Sequence, residues 1–142
     1  MMAKQLEVTV EIIFHATEDS KKIFEPMFKL FQIQEGEFSQ ERILGHYGNP
    51  IFLAKTMLTK KRAEDFVENL VSRVSKSQMD DLLDNINMYF EDSALFLRVG
   101  KNDLVRGVVS LQQNNAVKIR IKTPVYKKDE LTKTYTKLLK TE

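Results

Sequence analysis

Two runs with a strict two-residue alternation, one near each end of the chain, constrain the fold most. Leu6, Val8, Val10, Ile12 and Phe14 alternate with Glu7, Thr9, Glu11 and Ile13, and Val117, Ile119 and Ile121 alternate with Lys118, Arg120 and Lys122. Successive side chains of a strand point to opposite faces, so each run is a strand with an apolar side for a core and another side that is mostly polar. Such strands need a sheet that is covered on one face and open on the other.

The stretches between them alternate in type. Thr17 is an N-cap candidate with Glu18 and Asp19 behind it, and Ile23, Phe24, Met27, Phe28 and Phe31 recur at helical spacing. Pro26 either kinks a helix begun at Thr17 or opens a second helical piece, because its ring removes a backbone donor. Residues 37–44 and 51–58 read as extended, joined by the turn formers Gly45-His46-Tyr47-Gly48-Asn49-Pro50 into a hairpin.

Thr59 is placed to cap a helix whose stripe is Ala63, Phe66, Val67, Leu70, Val71 and Val74, and Ser77 with Asp80 resembles a capping box for a shorter one. Leu95, Leu97 and Val99 mark a strand, followed by a turn over residues 100–103. Residues 107–111 are expected to pair with 117–122 across Gln112-Gln113-Asn114-Asn115 as the end of a meander. Asp129 is the cap expected for a last helix with Leu131, Tyr135, Leu138 and Leu139 inward. The order β-α-β-β-α-α-β-β-β-α predicts a two-layer α+β fold: a mostly antiparallel or mixed sheet with helices packed on one face. With 142 residues and no Pro/Gly-rich linker or repeat, residues 1–142 are expected to form one domain.

Composition removes several kinds of chemistry. The chain has no cysteine, so disulfides, thiolate nucleophiles, zinc fingers and iron–sulfur clusters are out, and His15 and His46 are its two imidazoles. Neither histidine belongs to a His-Glu-x-x-His spacing or a nucleophile motif, and there is no phosphate-binding Gly-rich loop. A hydrogen bond from His15 to a carbonyl at the strand end is the expected role for that ring. No cofactor, no metal site and no enzymatic activity are expected. The first residues lack an apolar signal core and no run approaches the roughly 18 apolar residues of a membrane span, so a cytoplasmic location away from membranes is expected.

Charge is unevenly placed. Residues 1–50 carry a formal −3, residues 51–100 carry −1 and residues 101–142 carry +6. The basic last third suits a phosphate-bearing partner, and a solvated lysine-rich surface has the same composition. Parity sharpens this, since Lys118, Arg120 and Lys122 share one face at spacings of roughly 6.6–6.8 Å, and Arg98 has the same outward parity on its strand. An outer row of cations also deters edge pairing. In the hairpin loop, Tyr47 and His46 offer planes for an unpaired base and Asn49 offers hydrogen bonds, although the same residues make an ordinary tight turn.

The segments His15-Ala16-Thr17-Glu18-Asp19, Gly45-His46-Tyr47-Gly48-Asn49-Pro50-Ile51, Leu95-Phe96-Leu97-Arg98 and Val117-Lys118-Ile119-Arg120-Ile121-Lys122, in this order, resemble an archaeal family of predicted RNA-binding proteins described as exosome subunits. The resemblance covers nearly the whole chain, and the hexapeptide around Tyr47 is its most specific part. It implies an α+β fold similar to that of the ribosomal protein that holds 5S RNA, with no catalysis. After Arg98 the family pattern continues with an aromatic, an aspartate, Lys and Gln, whereas this chain has Val99-Gly100-Lys101-Asn102, so only Lys101 matches.

The expected function is therefore RNA binding with weak sequence specificity, as an accessory factor in RNA processing or degradation. The expected contacts are Arg42, His46, Tyr47, Asn49, Lys55, Arg98, Lys101, Lys118, Arg120 and Lys122. The alternative is a protein adaptor that docks on an acidic partner in an RNA-processing assembly, such as the exosome, without RNA affinity of its own.

Overall fold

A computed structural model describes residues 5–44 and 48–140. Among the described residues six strands form one sheet: β1 (Glu7–His15), β2 (Ser39–Leu44), β3 (Pro50–Thr59), β4 (Phe90–Glu91), β5 (Ala94–Gly100) and β6 (Ala116–Lys122). They lie in the order β2-β3-β1-β6-β5-β4, and every pairing is antiparallel. Five α-helices accompany them in the described residues: α1 (Lys21–Phe31), α2 (Lys60–Arg73), α3 (Lys76–Asp84), α4 (Lys101–Val105) and α5 (Leu131–Leu139). This is the expected two-layer α+β architecture.

The core lies between the helices and one sheet face. Val8, Val10, Ile12 and Phe14 of β1 meet Ile119 and Ile121 of β6 and Leu95 and Leu97 of β5, all buried. From the helical layer, α1 brings Ile23, Phe24, Met27 and Phe31, and α2 buries Ala63, Phe66, Val67 and Leu70 of the predicted stripe, while Val71 is partly buried and Val74 follows the helix end. Phe24 bridges Phe14 and Phe38, with ring centroids 5.3 and 5.2 Å away, and Phe31 lies 4.7 Å from Phe66. These separations suit aromatic packing.

Several local expectations are corrected. Helix α1 starts at Lys21 after Ser20 rather than at Thr17, and runs through Pro26, which is buried inside it. The missing Pro26 donor affects one rung, and apolar burial on both sides holds the helix together. Ser75, not Ser77, caps α3, its hydroxyl accepting from the Gln78 N–H at 3.2 Å. Thr59 precedes α2 without a side-chain cap bond, and Asp129 sits in a 3₁₀ turn before α5 rather than at its cap.

The largest correction concerns residues 101–111. The expected turn after β5 is α4, and the expected strand at 107–111 is not part of the sheet. That segment turns at Gly107, where φ is +78°, and touches β5 through a single bridge between Val99 and Leu111. A β carbon at Gly100 would stand 2.5 Å from the Gln112 side chain, so glycine lets this segment cross the strand end. The chain then returns as β6, between β5 and β1.

Two polar contacts tie the layers. The buried Tyr135 hydroxyl donates to the Ser93 carbonyl at 2.8 Å and accepts from the Thr123 N–H at 3.1 Å, joining α5 to the β4–β5 turn and the end of β6. Lys101, only 5% exposed, pairs with Glu18 at 3.0 Å, donates to the Ile13 carbonyl and lies 5.1 Å over the Phe14 ring. It fastens α4 to the end of β1.

Tyr135→Phe leaves the buried Thr123 N–H and the partly buried Ser93 carbonyl without this partner and is expected to cost about 1–3 kcal/mol in urea unfolding at neutral pH. Burial raises the Tyr135 phenol above its ordinary value of 10.0, a shift opposed by the Thr123 bond and by the Arg120 charge. Above about pH 10 the unfolded chain releases this proton more readily than the folded one, so that component of stability is complete below pH 10 and falls as pH rises. The Phe variant is expected to lack this component of the alkaline decline. Lys101→Met keeps the stem and removes the ammonium, and is expected to lower stability by about 1.5–3 kcal/mol, the range for hydrogen bonds to charged groups. A loss below 0.5 kcal/mol on the same urea curve, an amount ordinary for surface substitutions, would refute the role given to Lys101.

Candidate nucleic-acid interface

The outer face of the sheet carries the site. Register places Glu11 opposite Lys55 of β3 on one side and opposite Lys118 of β6 on the other, and Lys118 in turn opposite Arg98 of β5. In the next row Thr9 stands opposite Arg120, and Arg120 opposite Phe96. Glu7 is opposite Lys122. Three strands, β3, β5 and β6, therefore bring five cations from distant parts of the chain onto one surface that β1 completes with Glu7, Thr9 and Glu11, and residues alternating with them are buried behind. Lys55 and Arg98 are exposed, and Lys118, Arg120 and Lys122 are half-buried.

None of these five cations makes an ion pair within 4.0 Å among the described residues. From β1, Glu7 and Glu11 temper the field without forming an ion pair among the described residues. Phe96 lies at the centre: the Lys118 ammonium is 4.7 Å and the Arg120 guanidinium 5.9 Å from its ring centroid. A ring face holds a cation this close by its quadrupole. Phe96, Lys55, Lys118 and Arg120, with Thr9 and Glu11, line a shallow depression of about 250 Å³. Unpaired cations with an aromatic plane among them can hold phosphates and stack a planar group.

Of the residues singled out by sequence, Lys55, Arg98, Lys118, Arg120 and Lys122 come together here. Arg42 does not, because it is in register with Phe52, on the parity of Phe14 and Ala54, which places it on the helical side of the sheet near the exposed edge. Lys101 does not either, since its ammonium is buried and engaged by Glu18 and Ile13. Asn49 is exposed at the start of β3, beyond the end of the cationic rows, and His46 and Tyr47 fall outside the described residues. His15 is exposed, and its ring makes no hydrogen bond among the described residues. The bond at this position runs instead from its backbone N–H to Glu18.

Phe96 is the residue that sequence reading passed over. Its signal was present, since it precedes Arg98 by two positions and so shares its face, but the apolar run Leu95-Phe96-Leu97 reads as core. The carboxylates Glu7 and Glu11 became part of the site only through register. Among the described residues no three His, Asp or Glu side chains gather into a metal site, and no helix is long and apolar enough to cross a membrane.

Comparisons with known proteins bear on the chain as a whole. Over 135 residues the chain is 26% identical to the RNA-binding protein PAB1135 of Pyrococcus abyssi, covering 89% of this chain and 88% of that one. Among solved structures it is similar to protein AF2318 from Archaeglobus fulgidus, with a TM-score of 0.82 and 26% identity over 93% of this chain and 97% of the other. It is similar also to Mth689, a DUF54 protein from Methanothermobacter thermautotrophicus, with a TM-score of 0.73 and 25% identity over 94% and 97% of the two chains. A family model described as RNA binding matches residues 7–123, a span that runs from the first residue of β1 past the last residue of β6, and the chain belongs to that RNA-binding family.

Proposed function

We propose that residues 1–142 act as one non-catalytic RNA-binding unit, an accessory factor in RNA processing or degradation that associates with the exosome, and that the outer sheet face is its RNA surface. The carrying observation is the set of five cations, none in an ion pair among the described residues, that share the side of the sheet away from the helical layer with Phe96. Lys55, Lys118, Arg120, Lys122 and Arg98 supply phosphate contacts, which are insensitive to sequence, so affinity depends on salt and specificity is weak. His46, Tyr47 and Asn49 of the Gly45–Pro50 stretch are further RNA contacts in this proposal, the two rings as planes for a base and Asn49 through hydrogen bonds. The resemblance to the family described as exosome subunits, with a fold like that of the 5S RNA-binding ribosomal protein, supports the same reading.

A second reading, docking on a protein of an RNA-processing assembly, has its own observation. Strand β2 is exposed along its whole length, and Ile13, Ile43 and Met57 stand exposed beside the cations. It predicts co-purification without direct RNA affinity.

Filter-binding titrations at two salt concentrations separate the readings. Replacing Lys118, Arg120 and Lys122 together by Ala is expected to weaken binding and to flatten the slope of log affinity against log salt by roughly 2 to 3, since each counterion released contributes about 0.7–0.9. An unchanged slope removes this face from the proposal. Glu11→Gln deletes the carboxylate between Lys55 and Lys118, and is expected to tighten RNA binding roughly 1.4- to 5-fold, the equivalent of one cross-strand charge term of about 0.2–1 kcal/mol. Weaker binding by this variant would show that Glu11 orders the cations rather than opposing the ligand.

A further inference from the structure

We infer that the RNA taken by this face is single-stranded, and that one of its bases is inserted into an aromatic cleft between Tyr89 and Phe96, beside the cationic depression. This inference rests on the RNA-binding reading above. A second depression, of about 360 Å³, adjoins the first and shares Phe96 and Lys118 with it. Its further lining includes Met88, Tyr89, Glu91, Arg98 and Gln113. The volume is at the low end of small-ligand sites, fit for one planar group rather than a groove for a helix.

The two depressions differ in chemistry. The first has three cations against one carboxylate and suits a phosphate. The second is lined by three aromatic residues, Tyr89, Phe90 and Phe96, with a thioether, an amide, a carboxylate and two cations; Tyr89 and Phe90 also pack against the core. The Glu91, Gln113 and Arg98 side chains make no hydrogen bond among the described residues. A carboxylate repels phosphate but accepts from a base amino group, while the amide and guanidinium offer donors to ring nitrogens and carbonyls. Phosphate on one side of Phe96 and base on the other is the layout of a single unpaired nucleotide. A duplex keeps its base faces stacked and offers mainly its backbone and a shallow minor groove, so it leaves this cleft empty.

The cleft is held in place before any ligand arrives. Strands β4 and β5 form a two-residue hairpin in which Asp92 and Ser93 both have positive φ, 52° and 66°, the geometry of a tight type I′ turn. Tyr135 anchors the Ser93 carbonyl, and the Phe90 ring packs 5.4 Å from Tyr135. Ile86 is buried at the start of the 3₁₀ turn that ends in Tyr89. Tyr89 is thus positioned by a fixed hairpin rather than a free loop, which lowers the ordering cost of binding. On entry of a base, the Lys118 ammonium exchanges the Phe96 ring for the adjoining phosphate.

The test is fluorescence anisotropy with the full chain, using a labelled single-stranded oligoadenylate and a blunt RNA duplex matched in phosphate number. Phe96→Leu and Tyr89→Leu remove the aromatic plane and keep an apolar side chain at each position. Each is expected to weaken single-strand binding about 5- to 100-fold, the loss of one stacked base, with the salt slope unchanged and duplex binding within twofold. Circular dichroism melting confirms that each variant is folded, and a variant that is not is replaced by Glu91→Gln or Gln113→Ala. These exposed substitutions are expected to change single-strand affinity at least threefold without touching duplex affinity. Equal affinity of wild-type protein for duplex and single strand, with both Leu variants unaltered, overturns the cleft and leaves the phosphate surface standing. Absence of binding to either RNA overturns the RNA-binding reading and the cleft with it.

Discussion

Strand β6 inserted between β1 and β5 is the pairing on which the rest of this structure depends. It closes the core, because Val117, Ile119 and Ile121 fill the space between the apolar faces of the first and fifth strands. By the same geometry it exposes the cations, since whatever alternates with a buried residue must face the other way. Core and charged surface are two sides of one alternation, and neither can be moved without the other: a slip of one residue would bury Lys118 and Arg120 and expose the isoleucines.

The outer face keeps its charges available by geometry. Side chains two apart on one strand stand roughly 6.6–6.8 Å from each other, too far to share a counter-charge and close enough to add their fields. The carboxylates at Glu7 and Glu11 are in neighbouring register positions but form no ion pair among the described residues, and Lys118 and Arg120 lie over the ring of Phe96. A cation resting on an aromatic face retains its charge and much of its hydration, so it can be exchanged onto a phosphate at little cost. Lys101 is the contrast: buried against Phe14 and tied to Glu18, its charge serves the joint between α4 and β1.

The sequence was most legible where physical periodicity is local. Strands β1, β3, β5 and β6, the α2 stripe and the antiparallel sheet with helices on one side all follow from alternation or from helical spacing. Helix starts were less legible, because Thr17, Ser77 and Asp129 have the right chemistry for caps, while Ser20, Ser75 and Glu130 occupy those positions once packing sets where each helix must begin. The failure at residues 101–111 has a clear cause. Val108 and Val109 look like a strand, but the position such a strand would take beside β5 is filled by β6, and the segment is left to cross the strand end at Gly100.

Alternation alone determined that Lys118, Arg120 and Lys122 share a face, that Arg98 points outward and that an apolar face lies behind them, because side-chain direction along a strand depends only on neighbours in the chain. Tertiary structure decided everything that depends on which strands lie side by side. It set Phe96 among the cations, placed Glu11 between Lys55 and Lys118, turned Arg42 to the other side and buried Lys101. Register between strands distant in sequence is settled by the fit of the whole core, and no single segment carries that information.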